Sequence, residues 1–239
     1  MDNYKLANIL AVVISITGLL IIIGWIFDIT LLKSITSSWA TTKFSSALSF
    51  VFAGILLYAI SKLQQRWNKL EYYLLVSSST AITIIILPLL ISRLLNKYVG
   101  LENLFINEIN YAVNTIIPGM PSIITMVGFI LIIISSIILS IELRNKILIK
   151  SLNLVILLLL LLGITPLIGY IFNLPMLYLD YGTNRSATSF ASAILFILSA
   201  IGLFLARNRK WEIIVHTPIE LGNNNNWKLF SFKINKKLN

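Results

Sequence analysis

"GWIFDITLL" (Gly24–Leu32) and "GYIFNLPML" (Gly169–Leu177) decide how this chain is read. Each repeats a glycine, an aromatic residue, Ile-Phe and then Asp or Asn, and runs on into leucine-rich sequence. A shift of one position lets the match resume. "FSSALSFVFAGILLY" from Phe44 pairs with "FASAILFILSAIGLF" from Phe190. Each copy therefore spans the end of one apolar segment, a connection and the next apolar segment. Two further apolar segments lie between the copies, enough for a third. "SIITMVGFILIIISS" from Ser122 keeps Gly128 and Phe129 near the corresponding place. Recurrence at a fixed internal period is the mark of a repeat architecture.

The apolar segments are long. Runs approaching the roughly 20 residues that cross a bilayer fall at Leu6–Phe27, Phe44–Ile60, Tyr72–Leu95, Pro121–Ile141, Ile149–Phe172 and Ala187–Ala206. Of 239 residues, 57% are hydrophobic and 12% charged, and the mean hydropathy is +0.89. A soluble domain of this size could not cover so much apolar surface, so lipid is the expected solvent. The fold expected is an all-α polytopic membrane protein. Its six transmembrane helices form three tandem parallel hairpins at about 6–60, 72–141 and 149–206, inside a membrane domain of residues 1–206. Pro88 and Pro166 fall inside two of these helices. The run after Lys5 exceeds the ~7–15 residues of a secretory signal core and reads as an uncleaved anchor.

Basic residues orient the chain. Lys5, Lys62, Arg66, Lys69, Arg144, Lys146 and Lys150, with the cluster in the tail at 207–239, lie on one side. Lys33, Lys43, Arg93, Lys97 and Arg185 lie on the other. By the positive-inside rule both termini are expected on the cytoplasmic side of a plasma membrane, and the resemblance given below implies a bacterial inner membrane. The net charge of +10 then describes a basic cytoplasmic face, and nucleic acid is not an expected partner. The outer connections at 28–43, 96–120 and 173–186 are amphipathic and suited to lie at the headgroups or to cap the bundle. In the tail, "WEIIVHT" and "WKLFSFKI" read as two short strands around a Gly-Asn-rich turn, with disorder as the alternative.

Composition excludes much chemistry. With 0 Cys and a single His, His216, thiolate nucleophiles, disulfides, Fe–S clusters and most zinc sites within one chain are ruled out. No ionisable residue falls in the middle of a predicted helix, where carriers and pumps place theirs. No catalytic residue, cofactor or metal site is expected. Glu102 and Glu108 read as solvated loop acids. The outer-side residues open to a signal or gating role are Trp25, Asp28, Lys33, Lys43, Tyr170, Asp180 and Arg185. Asp28 and Lys43 bracket the first connection. Structurally they read as a cap for a short interfacial helix and a snorkelling lysine. Asp180 and Arg185 repeat that arrangement in the last.

Gly24, Trp25, Asp28, Ile29, Leu32, Lys33, Ser34, Thr41 and Lys43 also resemble the multi-pass membrane sensory region of bacterial signalling proteins. That region precedes PAS, histidine-kinase or diguanylate-cyclase modules. The last copy, with Gly169, Tyr170, Pro175, Leu177 and Tyr178, is similar to that family's final hairpin. Thr30 stands where the family often has Pro. Residues 207–239 are fewer than a catalytic domain takes, so the resemblance implies an input region without its effector. It implies a non-catalytic signal-transduction role, with membrane lipids, a protein bound through the tail or bundle surface, and a homo-oligomer as partners. A structural or assembly subunit of a membrane complex, and a transporter or lipid-handling protein, are the alternatives.

Overall fold

The computed structural model describes residues 2–36, 38–95, 119–141, 146–180 and 186–207, and the backbone of two strands at 211–215 and 232–236. Within it the apolar runs are α-helices, because a helix satisfies every interior N–H and C=O without help from solvent. They are α1 (Asn3–Ile26), α2 (Thr30–Lys33), α3 (Phe44–Gln65), α4 (Lys69–Leu95), α5 (Ile123–Ser140), α6 (Lys146–Ile171) and α7 (Phe190–Ala206), with a 3-10 turn at Pro175–Leu177. Helices α1, α3, α4, α5 and α6 are long and apolar enough to cross a membrane. Helix α7 is apolar but has 17 residues. Pro88 and Pro166 lie inside α4 and α6.

The helix ends depart from the hydropathy reading in a consistent way. On the basic side α3 continues to Gln65, and α4 and α6 begin at Lys69 and Lys146. Lys and Gln are good helix formers, and their polar tips reach water while the backbone ladder continues. At the opposite end α7 starts at Phe190, three residues later than its apolar run. The Ser189 hydroxyl there accepts the Ser192 N–H at 3.1 Å, and Ala187 is held instead in an antiparallel bridge to Leu179. Ser122 caps α5 in the same manner, accepting the Thr125 N–H at 3.1 Å.

Helices α3, α5 and α7 form the interior, and α1, α4 and α6 lie around them. Of the most apolar window of each helix, 67% is buried in α3 but only 28% in α1 and α4, which separates inner from outer helices. At the centre Phe50, Phe129 and Phe196, one from each inner helix and each fully buried, meet with ring centroids 4.7, 5.0 and 5.3 Å apart. Tilted ring pairs at such separations are favoured by the aromatic quadrupole.

Two helix pairs are built alike. A Cβ on Gly18 of α1 would lie 2.8 Å from the Ala47 carbonyl oxygen of α3, and one on Gly163 of α6 would lie 2.8 Å from that of Ala193 in α7. Only glycine lets these backbones approach so closely, which is how helices associate without a hydrophobic driving force between them. The two pairs turn alike as well. Asp28 and Asn173 both take left-handed backbone conformations, φ 55° and 53°. Ile29 N–H then returns to the Gly24 carbonyl and Leu174 N–H to that of Gly169, both at 2.8 Å. This is the six-to-one bond of a Schellman motif, with Asp and Asn where glycine is commonest.

In the tail, Trp211–Val215 and Phe232–Lys236 form an antiparallel two-stranded ladder with Ile213 opposite Ile234. Residues 96–118 of the second connection, with Lys97, Glu102 and Glu108, lie outside the described residues, as do Arg185 and His216.

Candidate functional site

The N-terminal ends of α3, α5 and α7 converge on a buried polar seam, and the seam grows from the two matched turns. In the first, the Trp25 indole N–H donates to the Thr42 carbonyl at 2.7 Å, and the Thr42 N–H donates to the Lys33 carbonyl at 2.9 Å. In the last, the Tyr170 hydroxyl donates to the Thr188 carbonyl at 2.9 Å. The Thr188 N–H donates to the Tyr178 carbonyl at 2.8 Å. An aromatic residue near the end of the outer helix thus fixes a threonine just ahead of the inner helix, twice over.

Those threonines cross between helix pairs. The Thr42 hydroxyl lies 2.6 Å from the Ser189 hydroxyl at the start of α7. The Thr188 hydroxyl lies 2.6 Å from that of Ser122 at the start of α5. Ser186 adds a bond to the Met120 carbonyl at 2.8 Å. All these side chains are buried, so each hydroxyl depends on its partner rather than on water. Lys43, at the N-cap of α3, sits in the same seam with Ser46, Thr125 and Ser192 and is 3% exposed. The sequence reading of a snorkelling lysine is therefore corrected. The N-terminal ends of α3, α5 and α7 surround Lys43 and bury it within the bundle.

Asp28 and Lys33 pair with each other. Lys33 is largely buried, with its ammonium 4.9 Å from the centre of the Trp25 ring, a cation–π geometry. Asp28 is exposed, and its carboxyl is held below the ordinary value first by the Lys33 hydrogen bond and then by the Lys33 charge. This corrects a second expectation. Asp28 does not cap α2, whose N-cap is Ile29; its carboxylate is engaged by the Lys33 ammonium.

Asp180 makes a further polar join. Its Oδ2 accepts the Ile123 N–H, in the first turn of α5, at 2.7 Å and lies 3.4 Å from Arg93 Nη2 of α4. A carboxylate at a helix N-terminus is favoured by the helix dipole. Burial pushes the Asp180 carboxyl above its ordinary value, against the opposing pull of the Ile123 N–H and the Arg93 charge. Arg185, the other half of the expected Asp180–Arg185 arrangement, lies outside the described residues, and the described cation beside Asp180 is Arg93. A signal for Arg93 was present in the sequence. It lies four residues from Leu89 and seven from Ile86, both buried, on the inward stripe of α4.

Trp39, also in the first connection, packs its ring 5.0 Å from Tyr170 and 4.9 Å from Phe190, and so ties that connection to α6 and α7. A cavity of about 30 Å³ lies between the first connection and the start of α7, edged by Lys33, Thr42 and Ser189. It has room for about one water. Chemically, the described part of the seam offers hydroxyls, the buried Asp180–Arg93 pair and the buried Lys43. It can hold helix pairs in one relative position and resist their sliding. Comparisons with protein-family models, curated proteins and solved structures found no match to this chain.

Proposed function

We propose that the chain crosses the membrane six times as three like-oriented hairpins, with both termini on the cytoplasmic side of a bacterial plasma membrane. We further propose that it is a non-catalytic signal-input unit acting through a protein partner. The twofold recurrence of glycine contact, left-handed turn and aromatic-to-threonine bond supports the first and last hairpins. The Phe50–Phe129–Phe196 cluster and the Ser122 cap support a middle hairpin of the same plan. The observation that carries the functional reading is the hydroxyl pairing of Thr42 with Ser189 and of Thr188 with Ser122. These bonds couple helix pairs on one side of the bundle. A ligand that prefers one relative position would shift the hairpins by its difference in affinity for the two arrangements. The resemblance of Gly24–Lys43 to sensory membrane regions points the same way.

Two experiments test this. The chain has 0 Cys, so single cysteines introduced at 28 and 173 can be labelled from either side of intact cells. Labelling of both from outside is expected, and opposite sidedness refutes the hairpin plan. Affinity purification from crosslinked native membranes is expected to recover a kinase, cyclase or response regulator. Recovery in one fixed high-mass assembly without such a component would favour an assembly subunit instead.

A further inference from the structure

The geometry points to the two matched turns as a pair of lipid anchors seated at one depth in the outer leaflet. Their occupant is the boundary between acyl chains and headgroups. This rests on α1 and α6 crossing the bilayer.

The observation is an equality of exposure in places where apolar residues are unexpected. Just past its helix end, each turn presents a bare phenylalanine, Phe27 at 69% and Phe172 at 68% exposed. Each is preceded by an isoleucine, Ile26 at 63% and Ile171 at 62%, and followed by a second knob, Leu31 at 70% and Met176 at 61%. Connections between helices ordinarily run through water and carry polar side chains. Leaving a large apolar side chain in water forgoes the gain of burying it, and here three are left out twice. The exposure is built in. The left-handed Asp28 and Asn173 reverse the chain directly after each phenylalanine, and Gly24 and Gly169 let the returning Leu32 and Leu177 close beneath. That closure leaves the phenylalanine on the outside of the corner.

Continuity identifies the occupant. Helix α1 exposes Val12, Ile16 and Ile23, and α6 exposes Leu157, Leu161 and Ile168. The α1 stripe runs without interruption into its turn, and the α6 stripe is crossed by Thr165, whose hydroxyl donates to the Leu161 carbonyl, before it reaches its own. Whatever solvates those stripes also reaches the knobs, and a helix of this length and hydropathy is solvated by lipid. The polar residue at each corner, Asp28 or Asn173, sits beside the knob at the level where headgroups begin. An apolar wedge beside a polar edge is the pattern of an interfacial element. A protein partner would have to supply two separate pockets, one for each hairpin, whereas the leaflet provides one environment for both.

The test uses spin labels on single cysteines at Phe27 and Phe172, with the chain reconstituted in phosphatidylethanolamine–phosphatidylglycerol vesicles. Val12 and Leu157 serve as mid-helix references. Collision with oxygen, which partitions into lipid, is compared with collision with a water-soluble nickel chelate. Oxygen is expected to dominate at 27 and 172, giving the same depth at both and a shallower depth than at 12 and 157. Chelate dominance at 27 and 172, with 12 and 157 still lipidic, overturns the anchors and leaves the membrane crossing intact. Chelate dominance at all four overturns the crossing as well. Exclusion of both reagents at 27 and 172 means that protein covers the knobs, and the inference fails. Leu31→Cys and Met176→Cys carry the same expectation should the phenylalanine variants not fold.

Discussion

Asp28 and Asn173 occupy the same left-handed backbone position, φ 55° and 53°, at the same point of two turns lying far apart in the chain. Among L-residues Asn and Asp tolerate this region best, and a β-branched side chain does not. Asn173→Val is therefore expected to cost about 1–2 kcal/mol, while Asn173→Gly is tolerated. Thermal unfolding in detergent micelles checks both. Equal stability of the valine and glycine variants would contradict the role given to this corner.

Burial raises the Asp180 carboxyl, so the folded chain holds that proton more readily than the unfolded chain does. Its contribution therefore favours folding at low pH and declines as pH climbs from the ordinary aspartate value through the raised one. Asp180→Asn keeps an acceptor for the Ile123 N–H and is expected to abolish this part of the pH dependence. Asp180→Ala removes the acceptor of the buried Ile123 N–H and the carboxylate beside Arg93, and is expected to cost about 1–3 kcal/mol. Stability profiles of the three proteins between acid and neutral pH decide the matter.

Gly18→Ala and Gly163→Ala are expected to behave alike. In water alanine would gain helix propensity. Here the new methyl meets the Ala47 or Ala193 carbonyl oxygen at 2.8 Å, and backbone cannot step aside cheaply. A loss of about 1–3 kcal/mol is expected at each site, read as a lower unfolding midpoint. A stabilising effect at either would mean that the helix pair opens without penalty.

Phe50, Phe129 and Phe196 share one contact cluster. Each changed singly to Ala is expected to lose about 3–5 kcal/mol by leaving a cavity. Because the rings touch one another, a double substitution should lose less than the two single losses added together. Double-mutant cycles in micelles measure this, and strict additivity would show that the rings do not act as a unit.

The turns and the polar seam differ in how far they could be read in advance. The repeated Gly-aromatic-Ile-Phe-Asp/Asn phrase announced two like turns, because the conformational demands on such a corner fall on its own residues. Trp25 and Tyr170 were singled out by the same phrase, and both turned out to hold threonine carbonyls. The partners of charged groups were not legible. Asp180 and Arg93 are distant in sequence, and their meeting depends on α4 and α5 packing beside the last connection. Lys43 resembled any lysine at a helix start, and its burial depends on three helices closing over it.

By itself the amino-acid sequence determined that the chain is helical, that lipid suits its long helices, and that its first and last turns share one design. Hydropathy, backbone satisfaction and left-handed turn propensity act over a few consecutive residues and need no knowledge of neighbours. The tertiary structure alone decided which hydroxyls pair across helices, where Asp180 finds its cation, and that Lys43 is inside. Those outcomes depend on distances between segments that no local property encodes, and they are set only when the close glycine contacts and the phenylalanine cluster bring the helices together.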